Sequence, residues 1–368
     1  MSAARDMAVA AGQLPDPTLR AGIDNLPLGG ADRFSLGSDF MTMRRIGLMQ
    51  EFTRLGKRRA RAQRYEGEAA KSQATRLAIA TQIERDTALA WLERYYAEQM
   101  ASLVAEQAVQ AGLAIDAADS AYRAGRASQA DLLKARSVLA LVKDRASEIG
   151  RRVRNAGTML ARWTGADPGT PLIGLPALDV IGLDPASLER QLENHPQVAV
   201  MNRQQDIAQA DATLAKANRT PDWSVEVAFQ QRGSAYSNMV SVGVSIPLQW
   251  DRKNRQDREL SASLSLLEQA KAERDETLRE QVATTRVLVN EWENNRERRA
   301  RYQKEVIPLA EARTEATVTA YRGGKASLAD VLEARRNDID VRLEALQLET
   351  ETARLWAQLN FLIPKDAK

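Results

Sequence analysis

Two aspartates in this sequence, Asp131 and Asp330, each follow a serine by three positions, Ser128 and Ser327. That spacing belongs to a helix start, where hydroxyl and carboxylate accept from unpaired backbone N–H groups and the acid meets the positive end of the helix dipole. Gly125 and Gly324 stand three residues before the serines, where a glycine ends the preceding helix. Each group therefore marks a tight reversal between two helices. The reversals are copies of one another: Ala121 to Arg136 and Ala320 to Arg335 agree at eleven of sixteen positions, and Tyr122, Gly125, Ser128 and Asp131 recur as Tyr321, Gly324, Ser327 and Asp330. The chain is a duplication.

Other chemistry is sparse. There is no cysteine, which excludes disulfides, thiol nucleophiles and thiolate metal sites. The one histidine, His195, precedes Pro196 near an expected helix start and has no second imidazole with which to build a metal site. No Gly-rich phosphate loop or nucleophile elbow occurs, so the expectation is a protein that is not an enzyme and uses neither cofactor nor bound metal. Lys and Arg total 52 against 49 Asp and Glu, and the two signs are interspersed. Such a balance describes solvated helix surface, not a basic nucleic-acid face.

The elements that carry the reversals are long helices. Prolines fall at 15, 17 and 27 and then not until 168, and the intervening stretch is rich in Ala, Leu, Glu, Arg and Gln. A helix from about Lys57 to Ala124 would be roughly 100 Å long at 1.5 Å per residue, a coiled-coil length. The second copy predicts a helix from Arg255 to about Arg322, interrupted at Pro308, and a return helix from Ser327 to about Leu359. Leu332, Ile339, Leu343 and Leu346 give the return helix a stripe that its partner can bury.

Ahead of each long helix the period changes from helical to two. Trp223, Val225, Val227 and Phe229 alternate with Ser224, Glu226, Ala228 and Gln230, and Val240, Val242, Val244, Ile246, Leu248 and Trp250 alternate with small or polar residues. Strands of about 11 and 12 residues, apolar on one face, suit either a tilted membrane strand or a soluble sandwich. Trp223 and Trp250 fall at one end of this hairpin, where a membrane girdle would lie. The first copy offers a matching hairpin, Leu19 to Leu28 and Phe40 to Phe52, with Arg44 and Arg45 spoiling its alternation.

The expected organisation is a first repeat over residues 1–165 (truncated N-terminal helix, strand hairpin about 17–52, long helix, reversal at 125–128, return helix) and a second over 166–368. The second comprises a helix about 184–218, a hairpin about 222–250, a long helix, a reversal at 324–327 and a return helix. Comparing the copies, the helix ahead of the first hairpin should begin some twenty residues before Met1. The expectation is that this helix, and any export signal ahead of it, lie outside this chain.

No run approaches the roughly 20 apolar residues of a membrane helix. Four strands cannot close a barrel, and open edges are not tolerated in lipid, so strands in a membrane would have to be shared among chains; three chains give twelve. The long helices would then continue the barrel as a tube. A mainly α chain with β is expected: a trimeric β-barrel, four strands per chain, continued by a long α-helical coiled-coil barrel.

With this order and its paired Tyr-x-x-Gly-x-x-Ser-x-x-Asp runs, the whole chain resembles the TolC-like outer-membrane factors, trimeric exit ducts of Gram-negative tripartite efflux pumps and type I secretion systems. Leu14 to Arg20, Asp24 to Pro27, Asp39 to Met43 and Ile46 to Phe52 resemble the heavy-metal-efflux branch, of the CzcC and CusC type. The resemblance implies a homotrimer in outer-membrane lipid that extends into the periplasm, meets a periplasmic adaptor protein and serves an inner-membrane RND pump, conducting heavy-metal cations. It implies that the reversals form the periplasmic tip where the adaptor docks, at Tyr122, Gly125, Ser128, Gly324 and Ser327. It implies a gate at Asp330, Glu333, Tyr321 and Asp131, the acids ringing the entrance and the tyrosine tying the tip shut against Asp131. At Ala326 the sequence departs from members that place a basic residue there. The alternatives are a multidrug or type I secretion duct, a periplasmic adaptor, which would carry one hairpin instead of two, and a soluble coiled-coil scaffold, against which only the strand pairs argue.

Overall fold

The computed structural model describes residues 1–125 and 127–364; Arg126, within the first reversal, lies outside them. The elements run α1 (Ser2–Ala11), β1 (Thr18–Asp24), β2 (Met43–Phe52), α2 (Leu55–Arg123), α3 (Gln129–Thr164), α4 (Leu188–Leu192), α5 (Pro196–Asn218), β3 (Trp223–Gln231), β4 (Met239–Ser245), α6 (Gln256–Arg301), α7 (Ile307–Arg322) and α8 (Leu328–Asn360). They divide into two compact units, each drawn from both sequence repeats: residues 1–76 with 197–277, and 77–196 with 278–368.

The first unit contains all four strands, in a purely antiparallel sheet of order β1-β2-β3-β4. Register places Leu19, Leu48, Val227 and Val242 in one row and Ala21, Ile46, Phe229 and Val240 in the next, so one face is apolar across the sheet. The strands are shorter than the sequence suggests. β1 stops at Asp24 and not at Leu28, because Asn25 turns the chain with φ 57°. β2 starts at Met43 and not at Phe40, after Asp39 caps the N–H groups of Met41 and Thr42. β4 ends at Ser245 because Pro247, two residues on, has no N–H to offer a ladder. In the same unit α5 packs on α6 through Ala208, Leu267 and Ala270, and Gln204 accepts from Lys71 Nζ of α2 at 2.6 Å.

The second unit is helical. α2, α3 and α8 interlock through Met100, Val104, Val142, Ile149 and Leu343. The end of α8 and the middle of α6 close over Leu183, Leu188 and Leu192 of the segment between the repeats. The helix expected over 184–218 is broken there. A 3-10 turn, Pro185–Ser187, and α4 precede a gap at His195, because Pro196 cannot continue a helix but suits the first turn of α5. His195 is buried, and desolvation, aided by the Arg85 charge, pulls its pKa down to about 4.

α2 runs unbroken for 69 residues, as its composition predicts. Its counterpart does not. Between α6 and α7 the backbone widens into a π-helical turn at Tyr302–Val306, one turn before Pro308. Proline there lacks the N–H for its own ladder bond and crowds the preceding turn, and the wider turn relieves that crowding. The break lies upstream of the proline itself.

Candidate functional site

The two reversals converge. Ala114, Ala118, Leu132, Ala135, Leu328 and Leu332 form one small core, with Tyr321 packed against it. The copies are built alike: Gly125 and Gly324 adopt φ +69° and +73°, the left-handed geometry that glycine permits cheaply at a helix end. In each, the serine caps the return helix and the aspartate closes a capping box. Ser128 N–H and hydroxyl donate to Asp131 Oδ2 at 2.9 and 2.7 Å, and Ser327 does the same to Asp330 at 2.8 and 2.7 Å.

Those bonds hold both carboxyls below the usual carboxylate range. For Asp131 the Ser128 backbone N–H is the larger cause and the hydroxyl the next; for Asp330 the order is reversed. Lys134 favours the charged form of both. It occupies the position that Glu333 holds in the second copy, since 333 minus 134 is the repeat offset of 199. The reversal cluster thus contains a cation that the sequence reading did not single out, and the charge swap at matched positions was its available signal.

The structure brings Asp131, Asp330 and Tyr321 into one region, with Glu333 exposed on the first turns of α8. Tyr321 is half-buried and held by packing, and within one chain its hydroxyl makes no hydrogen bond to Asp131. Tyr122 is exposed instead. The same sequence motif therefore fills two environments, and only the second tyrosine helps to join the reversals.

The sheet is the second candidate site. Its apolar face is left uncovered, with Leu48, Val227, Phe229, Val242 and Val244 all exposed. Trp223 stacks on Phe52 with centroids 4.6 Å apart, and Trp250 lies almost fully exposed beyond β4 at the same end. On the opposite face Glu226 accepts from Arg45 and from Arg20, the latter at 3.2 Å, and Arg45 is also 3.8 Å from Asp24. Arg45 therefore belongs to the polar face by register, and the irregular alternation of β2 has a specific cause. Gly47 on that face opposes Ala228 so closely that any Cβ would collide with it at 2.8 Å. Among the described residues no helix is long and apolar enough to cross a membrane.

Residues 188–363 match the outer membrane efflux protein family. The cobalt-zinc-cadmium resistance protein CzcC of Cupriavidus metallidurans is 28% identical over 306 residues, covering 81% of this chain and 71% of its own length. Among solved structures, CusC superposes with a TM-score of 0.81 at 15% identity, over 98% of this chain and 86% of that one. The outer membrane protein VceC of Vibrio cholerae gives a TM-score of 0.79 at 17% identity, over 98% and 89%. The family match spans most of the second repeat, the likeness to CzcC extends over most of the chain, and the solved channels share its fold.

Proposed function

We propose that this protein is the outer-membrane exit duct of a tripartite efflux system and that its cargo is heavy-metal cations. Three chains pair β4 of one with β1 of the next, giving a twelve-stranded barrel whose apolar face meets lipid and whose small and ion-paired face lines the lumen. The observation that carries this is the sheet: four antiparallel strands, an uncovered apolar face and two outer strands without partners among the described residues. A soluble scaffold gives no reason for such a surface. The cargo rests on the likeness to CzcC, which is named for resistance to cobalt, zinc and cadmium.

In this reading the converged reversals are the periplasmic tip, offered to an adaptor by Tyr122, Gly125, Ser128, Gly324 and Ser327. Asp330 and Glu333, repeated by the trimer, form an acidic entrance that favours cations, and Tyr321 holds the tip together. The duct itself does no chemistry; flow through it is driven by the pump.

Complementation tests the cargo. In a Gram-negative host whose own duct has been deleted from a zinc-exporting pump and adaptor system, the protein should restore growth on zinc. Correct insertion without restored zinc tolerance would refute the metal cargo while leaving the duct reading intact.

A further inference from the structure

Arg20, Arg44 and Arg45 on the strands and Arg232 just after β3 are treated differently. Arg20 and Arg45, on the polar face, are neutralised by Glu226 and Asp24. Arg44 and Arg232 have no carboxylate within ion-pairing distance among the described residues. Register puts Arg44 in the row Ile23, Arg44, Gln231, two residues before Ile46, so it stands on the apolar face at the loop end of the strands. Its Nη2 donates to the Arg232 carbonyl at 3.5 Å. The Arg232 guanidinium donates to the Phe40 carbonyl and lies over the Tyr236 ring, 4.9 Å from its centroid. The β1–β2 and β3–β4 loops are thus locked beside Arg44, and Gly233 touches Gly37 too closely to admit a side chain.

An exposed, unpaired guanidinium on an otherwise apolar face is costly at bilayer depth and favourable at headgroup depth, where it can fork onto a phosphate. We infer that Arg44, with Arg232 behind it, is a binding site for the phosphorylated headgroup of an outer-leaflet lipid whose acyl chains lie along the Ile46 and Phe229 surface. The charge is complementary, and the site continues the apolar face without a break. Exposed Phe40 and Met41 extend the acyl-chain surface at the rim. The opposite end of the apolar face carries Trp223, Phe52 and Trp250.

This inference rests on the membrane reading of the sheet, and the experiment separates the two. The delipidated protein in uncharged dodecyl maltoside micelles is titrated with diphosphoryl lipid A, and native mass spectrometry reads lipid bound per trimer. Arg44→Gln should weaken binding about fivefold, the weight of one basic residue at an anionic membrane surface, while Arg44→Lys stays within roughly twofold and Arg20→Gln matches wild type. Equal affinity of wild type and Arg44→Gln would overturn the site. Displacement of the lipid by millimolar inorganic phosphate would also overturn it, because the pocket would then recognise free phosphate. A protein that remains a monomer in water without detergent refutes the membrane reading instead, and that is measured before any lipid is added.

Discussion

Lys57 and Asp222, 165 positions apart, form an ion pair with Nζ 2.8 Å from Oδ2 and the lysine side chain only 6% exposed. The lysine opens α2 and the aspartate immediately precedes β3, so the bond ties the first repeat's long helix to the second repeat's hairpin. Asp222 Oδ1 also accepts from the Arg54 N–H at 3.0 Å. Removing the acid leaves a buried ammonium without a partner, and Asp222→Ala should cost about 3 kcal/mol. Urea unfolding from micelles, followed by electrophoretic mobility, checks this; a loss below about 1 kcal/mol would mean the pair is replaceable by water.

The same pair makes stability depend on acid. Burial raises the Asp222 carboxyl, but bonds from Lys57 and the Arg54 N–H outweigh it and leave the pKa below the ordinary 3.8. Its stabilisation is complete above the unfolded value and disappears as pH falls from 3.8 through the folded pKa. His195 acts earlier. Its folded pKa is about 4 against 6.5 unfolded, so the neutral ring stabilises above pH 6.5 and that contribution falls between 6.5 and 4, by at most about 1.4 kcal/mol per pH unit. His195→Gln should flatten the unfolding profile across that window and leave the acid limb attributable to carboxylates.

Gly324→Val should impair transport with insertion intact, because a β-branched residue at φ +73° costs roughly 1–2 kcal/mol and strains the turn joining α7 to α8. Gly125→Val should do the same in the first copy. Full zinc tolerance in both variants would show that the reversals carry no functional geometry.

Val227 and Val244 lie on the apolar face and Ser241 on the other. Arginine at either valine should cost about 2–4 kcal/mol at mid-bilayer depth, whereas Ser241→Arg should be mild. Heat resistance of the assembled protein in detergent gives the comparison, and equal losses on both faces would contradict the assignment.

At the reversals, Glu333 is the informative acid. Asp330 is committed to the Ser327 cap, so Asp330→Asn weakens the start of α8 whatever its role in conduction. Glu333→Gln leaves the cap intact and removes one charge per chain, three in the proposed trimer. Single-channel recording should show reduced preference for cations and weaker block by multivalent cations. Unchanged selectivity would reduce Asp330 to a helix cap and Glu333 to solvated surface.

What was legible in the sequence was local or periodic. The glycine stops, serine caps and aspartates of both reversals are short-range signals, and Val225, Val227 and Phe229 disclosed their face because alternation needs no partner to be read. The break before α5 was available in Pro196, placed near a helix start in the sequence, although one helix was expected across 184–218. The π-helical turn at Tyr302 could not be read, since proline marks the strained turn and not where the backbone yields. Lys57 with Asp222, and Arg45 with Glu226, were out of reach for a different reason. Each is a contact across the duplication, fixed by sheet register and helix packing, and no spacing along the chain encodes it.

The central claim is that neighbouring chains close the sheet into one barrel, and the absence of cysteine allows a direct measurement. Single cysteines are placed along β1, at Arg20 through Gly22, and along β4, at Ser241 through Gly243, and paired in the protein exported to a Gram-negative outer membrane. A short bismaleimide should join β4 of one chain to β1 of the next at one register, giving a covalent trimer on denaturing gels. Only monomeric species at every register, from protein that extracts without detergent, would contradict the account.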